Sequence, residues 1–590
     1  MLSKGRRCRP FSMEKKAAYA GGCNTWGKAA DDSNYGEDIM AQHATVPVQK
    51  GHTYTIEITR LGSSGEGIGR VDGFTAFVPF ALPEETVEGE ITVVKKQYAT
   101  AVLKKIVKPS KERVKPPCPV YDRCGGCQLQ HLSYPAQLVM KRQQVADALV
   151  RIGHLESVPV LPTLGADDPW HYRNKMQFPV AAGARRSLAI GCFAAATHRV
   201  INVDECFIQK EGNNRLIPIL RQWMKTYKIP AYDEDQETGI VRHLMGRVGV
   251  HTGEVMVCLV TACDMVPHLK DLTRMLRESI PNLTGFVQNV NKRHTNVILG
   301  AKTKVIYGKP TIRDSIGTLT FNISAQSFFQ VNSEQAQRLY EKALEFADLK
   351  GQETVVDVYC GTGTITLFLA QRAKQVYGIE IVAPAIKDAV KNAGDNRIAN
   401  AEFLLGDAAY KLPELLGSGI RPDVIIVDPP RAGCEEKVLT AIARVKPKRI
   451  VYVSCNPATL ARDLAYMAAK GYKTEKVQPV DMFPMTHHVE TVALLSKLNT
   501  EHHLDIEIGE DELSEIDFSK DATYGEIKKY VLDKYGLKVS SLYIAQIKRK
   551  HGLIERENYN FSKKENQRVP NCPEEKEKAI EDALEHFGMI

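Results

Sequence analysis

No stretch of this 590-residue chain approaches the ~18 consecutive apolar residues that a membrane-spanning helix needs. Its opening residues, Met1-Leu-Ser-Lys-Gly-Arg-Arg7, lack the apolar core of a secretion signal. A soluble, cytoplasmic protein is therefore expected. No internal repeat emerges, which argues against a repeat architecture. An excess of one charge is also missing. The formal net charge of +8 is mild for this length, so it permits a polyanionic partner without demanding one. Cysteine, by contrast, is plentiful. Thirteen in a cytosolic chain point to metal binding or catalysis rather than disulfides. Single cores stop growing near ~250–300 residues, so three to five domains are expected.

The first 45 residues mix Gly, Ala, Asp and Asn without sustained periodicity. They are read as a disordered tail, with Met13 and Met40 as later candidate starts of translation. Over residues 46–108 short alternating strands, Tyr54–Ile58, Thr75–Pro79, Glu90–Val94 and Ala101–Leu103, are separated by glycines in the pattern of a small barrel. The ordered run Gly65-Glu-Gly-Ile-Gly-Arg70, Phe77-Val-Pro79 and Ala81-Leu-Pro83 resembles the TRAM domain, an OB-like β-barrel appended to RNA-modifying enzymes. The resemblance implies RNA binding.

Residues 109–132 carry Cys118 and Cys124-Gly-Gly-Cys127, and Cys206 follows much later in Asp204-Glu-Cys206. Thiolates at this spacing around a glycine-bearing loop suit a compact iron–sulfur cluster, and four cysteines equally suit a closed structural zinc site. Spacing alone leaves the two evenly balanced, with Cys192 and Cys258 as alternative fourth ligands. A radical-SAM site fits less well, because its usual triplet has three residues in the first gap.

Within 133–162 a helix is expected over Pro135–Ile152, with Leu138, Val145, Leu149 and Ile152 on one face and Lys141, Arg142 and Arg151 available to solvent or phosphate. Residues 163–324 read as an α+β central domain for RNA recognition, with strands at Ser187–Phe193, Val255–Val260 and Asn296–Leu299 and a helix at Leu269–Glu278. The stretch Trp170-His-Tyr-Arg-Asn-Lys175 interleaves aromatic and basic groups, a composition suited to stacking bases or equally to a solvated loop with a buried Trp.

Residues 325–498 carry a cofactor pattern. The buried strand Thr354–Tyr359 turns through Cys360-Gly361-Thr362-Gly363-Thr364 into a helix whose free amides face a ligand. A second strand ends in Glu380, placed to bind both hydroxyls of a ribose, and a third ends in Gly406-Asp407, where an acid reads an adenine edge. This succession suits S-adenosylmethionine. The dinucleotide fingerprint is absent, since Thr366 stands at its third glycine, which counts against NAD.

The chain is organised around Asp423–Glu490. There a strand stops at Asp428-Pro-Pro-Arg431, the next stops at Ser454-Cys455-Asn-Pro457, and Glu490 follows in His488-Val-Glu-Thr491. A nucleophile, a polar orienter and a base converge at the ligand-binding edge of an open α/β sheet. With Phe328-Phe-Gln330-Val-Asn332 and Asp357-Val-Tyr359-Cys-Gly361, these motifs resemble the RNA 5-methyluridine (uracil-5-) methyltransferase family over about residues 46–498. The fit is best to its subgroup with a TRAM domain and a four-cysteine cluster, which acts on large-subunit ribosomal RNA.

The resemblance implies a doubly wound α/β SAM-dependent methyltransferase domain in which Gln330, Tyr359, Glu380 and Asp428 contact S-adenosylmethionine or the base. Cys455 would be the nucleophile and Glu490 the general base. Gly361, Thr364 and Asp407 complete the cofactor set, an amide often standing at the last two positions in ribosomal members. The resemblance also moves the cysteine site to a 4Fe-4S cluster on Cys118, Cys124, Cys127 and Cys206, and packs the helix of 133–162 on the catalytic domain. A monomer acting on ribosomal RNA is expected.

Rival readings are a transfer-RNA uridine enzyme, a cytosine carbon-5 enzyme, an amino-group methyltransferase and a noncatalytic RNA-binding assembly factor. Cytosine enzymes usually carry a cysteine in the segment held here by Asp428–Arg431, and Cys434 is displaced from it. Beyond Leu498 the family pattern ends. Residues 499–520 read as an acidic linker. Residues 521–590 read as a helical appendage, either a helix-turn-helix with basic Lys548-Arg-Lys550 or a helical interaction module, ending in an amphipathic helix at Pro573–Phe587.

Overall fold

The computed structural model describes residues 46–183, 187–294, 297–498, 524–551, 572–587 and 589. The N-terminal tail and the acidic linker lie outside the described residues. The chain divides into one unit ending at Leu498 and a second from Asn499 onward. Among the described residues no helix is long and apolar enough to cross a membrane.

Strands β1 (Thr53–Leu61), β2 (Gly67–Val71), β3 (Phe74–Val78), β4 (Thr86–Val94) and β5 (Tyr98–Lys108) close into a barrel in the order β1-β2-β3-β5-β4. Alternation with a period of two sends Ile56, Ile58, Val87 and Ile91 inward. The buried Glu85 carboxylate accepts two bonds from Arg113, at 2.5 and 2.8 Å, which ties the barrel to the chain leaving it.

Helix α1 (Tyr134–Arg151) is capped by Ser133 and packs on a helix of the C-terminal layer described below. The chain leaving α1 runs beside that layer's edge strand, Val160 pairing with Val477 and Leu164 with Val480.

Next come β6 (Lys175–Ala182), β7 (Leu188–Phe193), β8 (Val200–Asn202), α2 (Glu211–Asn214), α3 (Leu216–Thr226), β9 (Val241–Val248), β10 (Val255–Thr261), α4 (Leu269–Ser279), β11 (Leu283–Val290) and β12 (Lys302–Gly308). Their sheet runs β12-β11-β10-β9-β6-β7-β8. Leu220 and Trp223 of α3, with Leu272 and Leu276 of α4, cover one face. Met245, Met256 and Val287 on the other face join the core of the C-terminal layer.

A hairpin of β13 (Thr311–Ile316) and β14 (Leu319–Ser324) leads into that layer. It comprises α5 (Ser333–Ala347), β15 (Thr354–Val358), α6 (Thr364–Ala370), β16 (Gln375–Glu380), α7 (Ala383–Asp395), β17 (Ala401–Leu405), α8 (Ala408–Gly417), β18 (Val424–Val427), α9 (Glu436–Val445), β19 (Arg449–Ser454), α10 (Pro457–Ala468), β20 (Tyr472–Val480) and β21 (Glu490–Lys497). The order β17-β16-β15-β18-β19-β21-β20 reverses direction between β15 and β18, and β21 alone runs against the direction of the other six strands. Helices on both faces explain why β18 is a continuous buried Val-Ile-Ile-Val. The reversal point is where such sheets bind ligands.

The second unit holds α11 (Tyr524–Tyr535), α12 (Ser541–Lys550) and α13 (Glu574–His586) around Ile527, Val531, Ile544, Ile580 and Leu584. Lys550, at the basic end of α12, pairs with Glu577 and Glu581 of α13, which compensates its charge inside the unit.

Four local readings of the sequence change in the structure. Val297–Leu299 form no strand, because the chain there crosses as a loop with Val297 and Ile298 carbonyls accepting from Asn291. Ile152 is 46% exposed as the residue ending α1 rather than part of its packed face. Tyr172 is buried, its hydroxyl donating to the Pro484 carbonyl, so it presents no ring for base stacking. Lys141 faces neither solvent nor phosphate. It is fully buried, with Nζ 2.5 Å from Asp481 Oδ1 and 3.1 Å from the Phe483 carbonyl.

The reason is that α1 lies on the layer rather than on the surface. Removing one partner of a buried pair leaves the other charge uncompensated, at a cost of ~3–5 kcal/mol. Lys141→Met is therefore expected to lower the stability of the unit ending at Leu498 by about that amount in urea unfolding. A Lys141→Met/Asp481→Leu double variant should recover most of the loss.

Candidate active site

The strand registers bring the site together. Val358 at the end of β15 stands beside Ile379 of β16 and Val427 of β18, so the next residues, Tyr359, Glu380 and Asp428, emerge side by side at one edge. Glu380 pairs with Leu405, which puts Gly406 and Asp407 just beyond them. On the other side of the reversal point Ser454 pairs with Thr491, so one step further Cys455 stands opposite Glu490.

Four groups share this second half of the edge. The Cys455 thiol is pushed up to about 11 by burial and by the charges of Glu490 and Asp428, with Arg431 opposing. Glu490 is pushed up to about 8 by burial and by Asp428, again against Arg431. Burial alone raises Asp428 to about 6. The arrangement is a thiol with a weakly acidic carboxyl across from it, a second carboxyl beside both, and one guanidinium that favours their ionised forms. It can deliver a nucleophile and a base to the same small ring.

The first half of the edge has the form of a nucleotide cradle. Tyr359, Gly361 and Gly363 all take positive φ, at 69°, 55° and 81°. A Cβ at Gly361 would meet no protein atom within 4 Å, which leaves that backbone open to a ligand. Glu380 Oε2 accepts from the Gly361 amide at 3.1 Å and Oε1 from the Val382 amide at 2.8 Å, so the acid is held against the turn. Thr364 opens α6 next to the Thr362 hydroxyl. Thr366, at the place of the third glycine, donates at 2.6 Å to Asp357.

Asp407 has two protein partners at the end of β17. It caps α8 through the Ala409 amide and forms a 2.8 Å pair with Lys437, which holds its carboxyl below the usual range. Cys434 is buried in contact with the Tyr359 and Tyr452 hydroxyls, and burial pushes its thiol to about 12.

One contributor was not singled out from the sequence. Tyr340 of α5, 3% exposed, hydrogen-bonds the Gln330 side chain and lies within reach of the Asp428 and Glu490 charges, which places Gln330 at the site. Phe328 is 71% exposed next to it. A tyrosine inside an amphipathic helix reads as core, so no local signal marks Tyr340.

A separate cavity of about 410 Å³ is walled by Cys118, Cys124, Cys127, Cys192 and Cys206. Cys258 is not among them, being buried in β10 within the core. Cys124 and Cys192 share a hydrogen bond that lowers the Cys124 thiol to about 7. A Cβ on Gly126 would lie 3.5 Å from the Cys124 sulfur and 3.7 Å from that of Cys192, in ordinary contact with both. Among the described residues no three donors converge as they would on a single ion. Five cysteines on one cavity wall are donors of the type that either a thiolate-held cluster or zinc would need.

The sequence profile of the family described as tRNA (Uracil-5-)-methyltransferase matches residues 134–498, and that of the TRAM domain matches residues 47–104. An uncharacterized RNA methyltransferase from Halalkalibacterium halodurans is 50% identical over 77% of this chain and 99% of its own length. One from Clostridium tetani is 48% identical over 76% and 98%. Among solved structures, the Pyrococcus abyssi tRNA (uracil-54, C5)-methyltransferase in complex with S-adenosyl-L-homocysteine is 31% identical. It covers 75% of this chain and 99% of its own, with a TM-score of 0.61.

A thiol held near 11 reacts through a small thiolate fraction that grows tenfold per pH unit. Glu490→Gln removes one of the charges that raise it. Iodoacetamide labelling of Cys455 at pH 9, followed by peptide mapping, is expected to run about three- to tenfold faster in that variant.

Proposed function

The chain belongs to the RNA uracil-5-methyltransferase family, and on that premise we propose that it methylates carbon 5 of a specific uridine in large-subunit ribosomal RNA through a covalent bond to Cys455. The observation that carries the reading is the placement of Cys455 opposite Glu490 beside Asp428, next to a cradle with the features of an S-adenosylmethionine site.

Carbon 5 of uracil is too weak a nucleophile to accept a methyl group unaided. The Cys455 thiol first gives its proton to solvent, the thiolate sulfur bonds to carbon 6, and the electron pair of the 5,6 double bond passes to carbon 5. S-adenosylmethionine, when bound, supplies the electrophilic methyl carbon. Glu490 in its ionised form then takes the proton from carbon 5, the sulfur–carbon bond breaks, and Cys455 is released. Asp428 orients the base or the cofactor. Gln330, Tyr359, Gly361, Thr364 and Glu380 hold the cofactor, with Asp407 nearby at the end of β17. A stacked uridine must be flipped out to reach this edge, at a cost of a few kcal/mol that the TRAM barrel and central domain would repay by gripping RNA.

Against a cytosine-directed enzyme stands the burial of Cys434, and against a noncatalytic factor stands the intact Cys455–Glu490 pair. A transfer-RNA uridine is the second reading, favoured by the likeness to the archaeal enzyme named for uracil-54.

We assign a 4Fe-4S cluster to Cys118, Cys124, Cys127 and Cys206, whose sulfurs line one cavity. Four thiolates leave no open iron, so a structural role follows. After anaerobic purification, iron is expected to persist in Cys192→Ala and to be lost in Cys206→Ala. The reverse result would move the fourth ligand to Cys192.

The reading is tested with 5-fluorouridine-containing fragments of large-subunit ribosomal RNA and of transfer RNA, mixed with anaerobically purified protein and S-adenosylmethionine. Fluorine at carbon 5 cannot leave as a proton, so a methylated RNA adduct on Cys455 is expected by intact mass and peptide mapping with the ribosomal fragment. An adduct with the transfer-RNA fragment alone selects the second reading, and none with either refutes both. On unmodified RNA, turnover should rise steeply up to about pH 8, where Glu490 and Cys455 both gain their ionised forms, and by about tenfold per unit above it, where only the Cys455 thiolate still grows.

A further inference from the structure

The segment 481–489, which joins β20 to β21 and delivers Glu490, has no helix or strand of its own. Four consecutive carbonyls of it accept from residues far away in sequence. The Asp481 carbonyl accepts from Gln335, that of Met482 from Asn332, that of Phe483 from Lys141 and that of Pro484 from Tyr172.

Met485 sits at the centre of this strap in a left-handed conformation, φ 66°. Its carbonyl accepts from the Gln128 and Leu129 amides, both at 3.0 Å. Its amide donates to Gln137 Oε1 at 3.1 Å. Gln137 is fully buried in α1, and its Nε2 donates back to the Leu129 and Leu132 carbonyls at 3.0 and 2.9 Å. Gln128 also donates to the Gly125 carbonyl at 2.8 Å and meets His487 at 3.3 Å. Met485 shares a buried cluster with Cys127, next to Cys118 and Cys206. One side chain thus joins α1, the cysteine loop and the strap.

We propose that Gln137 is a positioning residue that locks the cysteine loop to Met485, so that a filled cysteine cavity holds the strap and thereby sets Glu490 opposite Cys455. The cavity then acts on the chemical step without contacting substrate. Emptying it frees Gln128 and Leu129 to move, and the strap loosens with them.

The proposal rests on the reading of Glu490 as the base of uracil methylation, and its main test does not require turnover. Hydrogen exchange is followed by mass spectrometry in peptides spanning 481–490 of the full chain, purified anaerobically, before and after iron is stripped with a chelator and oxidant. In the wild type, stripping is expected to speed exchange there at least about tenfold. In Gln137→Met, which keeps the volume and loses the hydrogen bonds, exchange should be fast already, with iron content unchanged and no further response to stripping. The same variant should lower kcat about tenfold or more with KM for RNA within about twofold, since small misplacements of a reacting group are costly. Gln128→Ala, altering a half-buried side chain, should show the same pattern more weakly and serves if Gln137→Met does not fold.

Unchanged exchange at 481–490 in the stripped wild type overturns the proposal, as does iron loss in Gln137→Met, which would place the residue's effect in the cavity alone. A wild type inactive on every RNA would refute the assigned function while leaving the exchange result to decide the coupling.

Discussion

The antiparallel pairing of β19 with β21 is the constraint on which the rest of the active site depends. Register along a strand is quantised, and a slip of one residue sends every side chain to the opposite face. With Ser454 against Thr491, Cys455 and Glu490 emerge opposite one another. With any other register the thiol and its carboxyl would part. The register is held by burial on both faces, since Val451, Val453, Val492 and Leu495 all lie in cores. The apolar sequence of these strands therefore serves the chemistry at their ends.

That edge concentrates acids in a setting that disfavours their ionised forms. Burial raises Glu490, Asp428 and Cys455 together, the Asp428 charge raises Glu490 further, and both carboxylate charges raise Cys455. Arg431 is the opposing charge and follows Asp428 by only three residues, so the same turn supplies both signs. The balance leaves Glu490 largely protonated at neutral pH, a state from which modest changes in its surroundings shift its basicity.

Glu490 is reached through a segment without regular structure, and its placement depends on backbone groups that must find partners out of water. Those partners come from α1, from the cysteine loop, from α5 and from Tyr172. The buried Lys141–Asp481 pair anchors the beginning of the segment, and Met485 is gripped at its middle. An N-terminal helix and loop are thus part of the support for a C-terminal acid.

The linear order of residues was enough to announce the TRAM barrel, the Gly-rich turn, an acid at the strand end at Glu380 and the motifs around Asp428, Cys455 and Glu490. Each is a local pattern: alternation with period two, glycines where φ turns positive, an acid at a strand end. The cysteine spacing likewise announced a shared site. It left Cys192, Cys206 and Cys258 equivalent, and only the fold put Cys258 in the core and the other two on the cavity.

Lys141 and Gln137 look like ordinary polar positions of an amphipathic helix, yet their partners lie 340 and 348 residues further along. Tyr340 reads as core until α5 is packed beside Gln330. The pairing of Asp407 with Lys437 likewise exists only once α9 is packed beside the end of β17. Propensity and periodicity report what a residue does to its neighbours in sequence. Which buried polar group finds which partner is decided by tertiary packing, because the cost of leaving that group unsatisfied arises only when water is excluded.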